Sequence, residues 1–270
     1  MSLLNSFQQF KRINQEDRTL NKHGARRGWL IYHHYLGRFR NRLGLVSREL
    51  LGQFTIKESQ VTFHVMPEQL GTLFGIIGDN EYDLSEWLIN QPSTILDLGS
   101  NSGMAALYFH AHYPEARIAC VEPDPRNIKL LQKTLTSNKL ADAVTIFPAA
   151  VAASPGQLKL RMGPNSTCSS LESSPLHDLE DSLDVKVITV PMILYQLGWD
   201  RINLLKMDIE GTEDEVLSRD NGWLKQVDAI VLEIHPNTTP EKIQSYLLPF
   251  GFTLKPLLRG IEPVYFATKC

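Results

Sequence analysis

At 270 residues, 43% hydrophobic and 21% charged with a formal net charge of −3, the chain lies in the ordinary globular range and can bury a substantial core. Three cysteines, Cys120, Cys168 and Cys270, are odd in number and widely spaced, which excludes a disulfide framework and a CxxC metal site and points to a reducing, cytoplasmic setting. No apolar run approaches the roughly 20 residues that span a bilayer, and the start lacks the charged-then-apolar order of a secretory signal, so a soluble protein is expected.

Residues 1–55 carry ten Lys or Arg against three acids, about +7, which leaves the remainder near −10. Residues 1 to about 50 mix aromatic and aliphatic residues at three and four spacings among arginines, the pattern of short amphipathic helices. We read residues 1–75 as a basic helical N-terminal extension and 76–270 as the main domain. The extension is expected to pack on that domain; peripheral contact with an anionic surface and oligomer formation stay open. FTIKESQVTFHV reads as a strand or hairpin, and LSEWLINQ, residues 84–91, as a short helix.

From residue 94 strands alternate with helices. TILDL is a strand, GMAALYFHAHYP a helix ended by Pro114, ARIACVEP a strand, NIKLLQKTLTSNKL a helix and AVTIFPAAVA a third strand. A Ser-rich stretch, residues 163–182, follows, then KVITV as an added strand and PMILYQLGW as a helix with Pro191 in its first turn. RINLLKMDIEG and VDAIVLEIH supply two buried strands, EKIQSYLLPFGF a helix with a glycine stop, and TLKPLL with PVYFAT a closing antiparallel pair. This order predicts an α/β fold with a mostly parallel sheet covered by helices on both faces.

The turn after the first strand of this series, ILDLGSNSG, is the first candidate site. Gly99 and Gly103 would let the backbone approach a ligand closely. No G-K-[ST] follows, so a P-loop is excluded, and the spacing is not that of a dinucleotide G-x-G-x-x-G site. Asp97 precedes the turn and would repel a pyrophosphate but attract an ammonium. Glu122 stands 19 residues after Gly103, where an acid accepts both hydroxyls of a ribose. A ribose, a cationic end and no phosphate together describe S-adenosylmethionine. A capping role for Asp97 and a plain strand-end acid for Glu122 are the alternatives.

In family order, EYD at residues 81–83, ILDLGSNSG, VEPDPRN at 121–127, AAVAASPGQLKL at 149–160, LLKMDIEGTEDEVL at 204–217 and LEIH at 232–235 resemble the FkbM-type S-adenosylmethionine-dependent methyltransferases. The turn departs from the family's usual G-A-N-x-G, and the family's L-D-E-L stands here as VPMIL. The resemblance implies a Rossmann-like class I fold with a seven-stranded sheet. It places Gly99, Ser100, Asn101 and Gly103 around the methionine part, and Tyr82 near the amino-acid end. Glu122 with Pro123 would lie at the ribose, and Ala150 beside the adenine.

Candidate catalytic groups fall at two strand ends: Asp208 and Glu210 after LLKM, Glu233 and His235 after AIVL. His235 has the natural pKa for a general base and Glu210 is the second choice, while Asp208 suits orientation of substrate or of the cofactor's ammonium. Each also has a plain structural role open to it, Glu233 as a partner of Lys206 among them. The four could instead hold a divalent cation; no metal is assigned, and His110, His112 and His177 are expected at the surface. The acceptor is expected to be a small molecule, a saccharide or natural product in view of the resemblance, with O-methylation ahead of N-methylation and no nucleic-acid partner.

Overall fold

A computed structural model describes residues 49–78, 80–88, 90–161, 170–171, 182–257 and 264–269. The expected helices before residue 49, Cys168, His177, Cys270 and most of the Ser-rich stretch lie outside these residues.

The described chain opens with an antiparallel hairpin, β1 (Leu50–Ile56) and β2 (Ser59–Val65). Period-2 alternation sets its inner face: Phe54 and Phe63 are buried and meet edge to face at 5.6 Å. A single 3₁₀ turn (Pro67–Gln69), one α-turn (Leu70–Leu73) and a π-turn (Phe74–Gly78) follow. LSEWLINQ does not become a helix. Two bonds converge on the Leu84 carbonyl, from Trp87 N at 2.9 Å and Leu88 N at 3.0 Å, and the segment stays a turn, with Pro92 shortly beyond it.

The main sheet is built from β3 (Thr94–Leu98), β4 (Arg117–Val121), β5 (Val144–Phe147), β10 (Ile202–Met207), β11 (Val227–Glu233), β12 (Phe252–Pro256) and β13 (Val264–Lys269). Its order is β12-β13-β11-β10-β3-β4-β5. The first five of these in chain order run parallel, and the β12–β13 hairpin closes the edge antiparallel. Helices α1 (Met104–His112) and α2 (Pro125–Ser137) follow β3 and β4, and α3 (Val190–Leu197), α4 (Glu213–Ser218) and α5 (Pro240–Leu247) belong to the second half. Alternate residues of one strand serve opposite faces: Ile95 packs with α1 and the N-terminal hairpin, Leu96 with Leu205, Ile230 and α3. Burial on both faces is why these strands read as near-continuous apolar runs.

The expected third strand splits. Pro148 has no N–H to continue the ladder, so β5 ends at Phe147 and the chain re-enters as β6 (Ala150–Val151) in a separate small sheet. That sheet, ordered β6-β9-β7-β8, adds β7 (Gly156–Arg161), β8 (Ser170–Leu171) and β9 (Ser182–Ile188). The order in which strands are added reverses between β3 and β10, which lie side by side and parallel, so the carboxyl ends of those two strands form the switch point where such sheets bind ligands. No helix among the described residues is long and apolar enough to cross a membrane.

Candidate active site

The turn after β3 is fixed from behind. Gly99 has φ 79, and a Cβ there would stand 1.7 Å from the Asp208 carbonyl oxygen; Gly103 has φ 87, and a Cβ there would stand 2.5 Å from Leu131 Cδ1. Backbone packing requires glycine at 99 and the left-handed φ favours it at 103, before any ligand is considered. Asp208 N bonds to Leu98 O at 3.1 Å, which seals the end of β10 against the turn.

Lys206 and Asp97 are register partners on β10 and β3, in two otherwise apolar strands. The Lys206 ammonium lies 3.2 Å from Asp97 Oδ1 and 3.6 Å from Asp208 Oδ2, and donates to Gly99 O at 2.7 Å. Burial alone disfavours its charge, but Asp97 and Asp208 hold it above the ordinary lysine range.

On the β10–β11 side the organising group is Glu213, fully buried at the start of α4. Its Oε1 accepts from His235 Nδ1 at 2.9 Å, Ile209 N at 3.1 Å and Gly211 N at 3.3 Å. Those backbone bonds brace a left-handed pair, Glu210 (φ 54) and Gly211 (φ 95). For a glutamate that conformation costs on the order of 1–2 kcal/mol, and the brace offsets it. The same carboxylate orients His235, leaving Nε2 3.7 Å from Glu210 Oε2 and 3.9 Å from Asp208 Oδ1. Burial works against protonation of the ring, yet Glu213, Asp208 and Glu233 raise its pKa to about 9. Burial, with Asp208 beside it, lifts Glu210 to about 7.

Glu122 directly follows β4 and is almost fully buried. It accepts from Asn101 N at 2.9 Å, Asp124 N at 2.9 Å and Asn127 Nδ2 at 3.3 Å, and burial, against these donors, raises its pKa to about 7. Gln69, also buried, reaches into this network: its amide donates to Asn101 Oδ1 at 2.5 Å and Asn127 Oδ1 at 3.0 Å.

A cavity of about 480 Å³ opens where the turn and the two strand ends meet, and the Glu68–Ile76 segment with Glu81 and Tyr82 walls its other side. The chain matches the methyltransferase FkbM domain over residues 97–254. It belongs to the FkbM methyltransferase family. Methyltransferase sdnD of Sordaria araneosa is 28% identical over 211 residues, covering 66% of this chain and 80% of that one. The 31-O-demethyl-FK506 methyltransferase FkbM of Streptomyces tacrolimicus is 24% identical over 201 residues, covering 62% and 77%. The crystal structure of methyltransferase FkbM from Methylobacillus flagellatus KT aligns at 15% identity with a TM-score of 0.50; it covers 75% of this chain, which spans about half, 54%, of that one. The chain accordingly has the Rossmann-like class I methyltransferase fold.

In this FkbM chain all four expected catalytic groups, Asp208, Glu210, Glu233 and His235, line the cavity, with Tyr82, Gly99, Ser100 and Asn101. Asp97, Gly103, Glu122, Pro123 and Ala150 are not among the lining residues. Asp97 lies behind the turn against Lys206, and Ala150 packs in the small sheet with Leu160 and Val187. His112, expected at the surface, is half-buried and stacks on Tyr108 at 4.1 Å. Asp208, Glu233 and His235 offer ligand atoms within 4.8 Å of one another. The Lys206 ammonium beside Asp208 already sets a cation among them, and we assign no metal there.

Sequence reasoning passed over Glu213, Gln69 and the Glu68–Ile76 wall, and it met Lys206 only as a partner for Glu233, not for Asp97 and Asp208. Lys206 had a readable signal, since a lysine in a buried strand needs a carboxylate partner and Asp97 sits in the same predicament. Glu213 reads as an ordinary acid in a helix's first turn, and only the fold brings His235 to it.

Proposed function

We propose that this protein is an S-adenosylmethionine-dependent O-methyltransferase acting on a small hydroxylated acceptor, a sugar, polyketide or similar natural product. The observation that carries this reading is the shared cavity. A glycine turn at the switch point and an imidazole oriented by a buried glutamate open onto one space. The donor set fits a cationic ligand: Glu81, Asp208, Glu210 and Glu233 line the cavity with Lys206 as the lysine among them.

On this reading Tyr82, Gly99, Ser100 and Asn101 hold the amino-acid end, and Glu122 serves the ribose. When bound, the cofactor supplies a methyl group on a sulfonium and is released as a neutral thioether. The protein's own residues align the acceptor hydroxyl and take its proton, a contribution of about 10²–10⁴ in rate. His235 is the acceptor of that proton, with Glu210 as its neighbour. The FK506-acting relative, whose name specifies a 31-O position, favours oxygen over nitrogen.

The test is calorimetric titration with S-adenosylhomocysteine beside NAD, repeated on Glu122→Ala, followed by a methyl-transfer screen over hydroxylated and amine acceptors. One-site binding of the first ligand alone, weakened in the variant, supports the reading. Folded protein that ignores S-adenosylhomocysteine overturns it, and turnover of an amine undiminished in His235→Ala moves the assignment to nitrogen.

A further inference from the structure

The imidazole of His235 is faced by acids from three segments of the chain. Glu213, from the start of α4, holds Nδ1 at 2.9 Å. Asp208 and Glu210, beyond β10, stand 3.9 Å and 3.7 Å from Nε2, and Glu233 adds its charge from the end of β11. Lys206 lines the same cavity and is itself drawn toward Asp97 and Asp208. Tyr82, which lines the same cavity, is held neutral by burial and by Asp208, Glu81 and Glu233. A ring with a carboxylate at each nitrogen keeps its proton although only 12% of the side chain is exposed. A base must be neutral to accept a proton, so the resting arrangement is the wrong one for catalysis.

The cavity resolves the conflict. Asp208, Glu210 and Glu233, which stabilise the imidazolium, are also wall residues, so a cationic ligand enters the same field and competes with the proton for it. The two forms of the proposed cofactor differ in this one respect: the methyl-bearing form carries a sulfonium and the spent form does not. We infer that His235 gives its Nε2 proton to solvent when the sulfonium form of the cofactor is bound and keeps it when the thioether form is bound. The Nε2–H bond breaks, the proton passes to water, and no other bond changes. Nε2 thereby becomes an acceptor facing the cavity only while a methyl donor is present. The inference rests on the cofactor reading above and adds to it a coupling between ligand charge and the protonation of one residue.

The whole chain is titrated with S-adenosylmethionine and with S-adenosylhomocysteine at about pH 7, each in buffers of low and high ionisation enthalpy, which counts protons released. The amino-acid end titrates in both ligands and cancels in the comparison. About one proton more is expected for the sulfonium ligand, whose affinity rises up to about tenfold per pH unit below about pH 9 relative to the thioether. In His235→Gln the difference disappears. Should that variant fold poorly, the His235 C2–H resonance of the unaltered protein serves instead, moving to the neutral position with the sulfonium ligand alone. Equal proton counts for the two ligands, or a difference that survives in His235→Gln, overturn the inference. Failure of both ligands to bind overturns the cofactor reading and this inference with it, a result distinct from equal counts.

Discussion

Exchanging Glu213 for Gln separates the two tasks of its carboxylate. The substitution keeps size and one acceptor oxygen, so the bonds from Ile209 N and Gly211 N survive on a neutral acceptor, while the charge facing His235 Nδ1 is removed. A hydrogen bond to a charged group contributes about 1.5–3 kcal/mol and a neutral one about 0.5–1.5, so the loss is about 1–2 kcal/mol wherever His235 is protonated in the folded protein. The folded-state pKa of His235 is raised from 6.5 to about 9. A raised pKa means that its contribution is fully present below about pH 6.5 and fades as pH climbs through about 9. Thermal unfolding of the variant at about pH 6 should therefore fall about 2–8 °C below the parent, at the 2–4 °C per kcal/mol typical of chains near this size, and the gap should shrink at about pH 10. The His235 titration midpoint should drop at the same time. A gap of equal size at both pH values would refute the reasoning and leave Glu213 as a brace for the Glu210–Gly211 turn alone.

Lys206→Met leaves Asp97 buried without its ammonium and should cost about 3–5 kcal/mol in denaturant unfolding, much of it recovered when Asp97→Asn is added. Gly99→Ala sets a Cβ 1.7 Å from the Asp208 carbonyl at φ 79, so several kcal/mol of stability and all S-adenosylhomocysteine binding should be lost; a stable, binding variant would contradict the geometry. Asn138→Ala cuts its two bonds to Thr62, 2.8 Å and 2.7 Å, and should cost about 1–3 kcal/mol while raising hydrogen exchange in the β1–β2 hairpin before that of the main sheet.

The parallel strands were legible because both faces are buried, so TILDL and RINLLKM stand out as apolar runs bounded by turns. Helix α3 was legible through Pro191 in its first turn and α5 through its glycine stop; the structure adds caps, with Asp124, Thr189 and Thr239 each accepting from an N–H of the first turn of α2, α3 and α5. The clustering of Asp208, Glu210, Glu233 and His235 followed from adjacent strands ending at one edge. What stayed hidden depended on contacts distant in sequence. The break at Pro148 shows as a new sheet only when β9 is there to receive β6. Gln69 reaches Asn127 across 58 positions, and Glu213 meets His235 across 22. No local periodicity carries such information.

The contact between Gly99 and the Asp208 backbone, with Lys206 reaching across to the Gly99 carbonyl, welds the two halves of the sheet along a seam of main-chain atoms. The turn and the bearing of His235 are registered to each other through that seam and not through the loops above. The opposite wall, Glu68 to Tyr82, precedes the matched domain, which begins at residue 97. The cavity is thus walled by two separate stretches of one polypeptide. A change in the forward stretch reshapes one wall of that space without touching the seam that aligns the other.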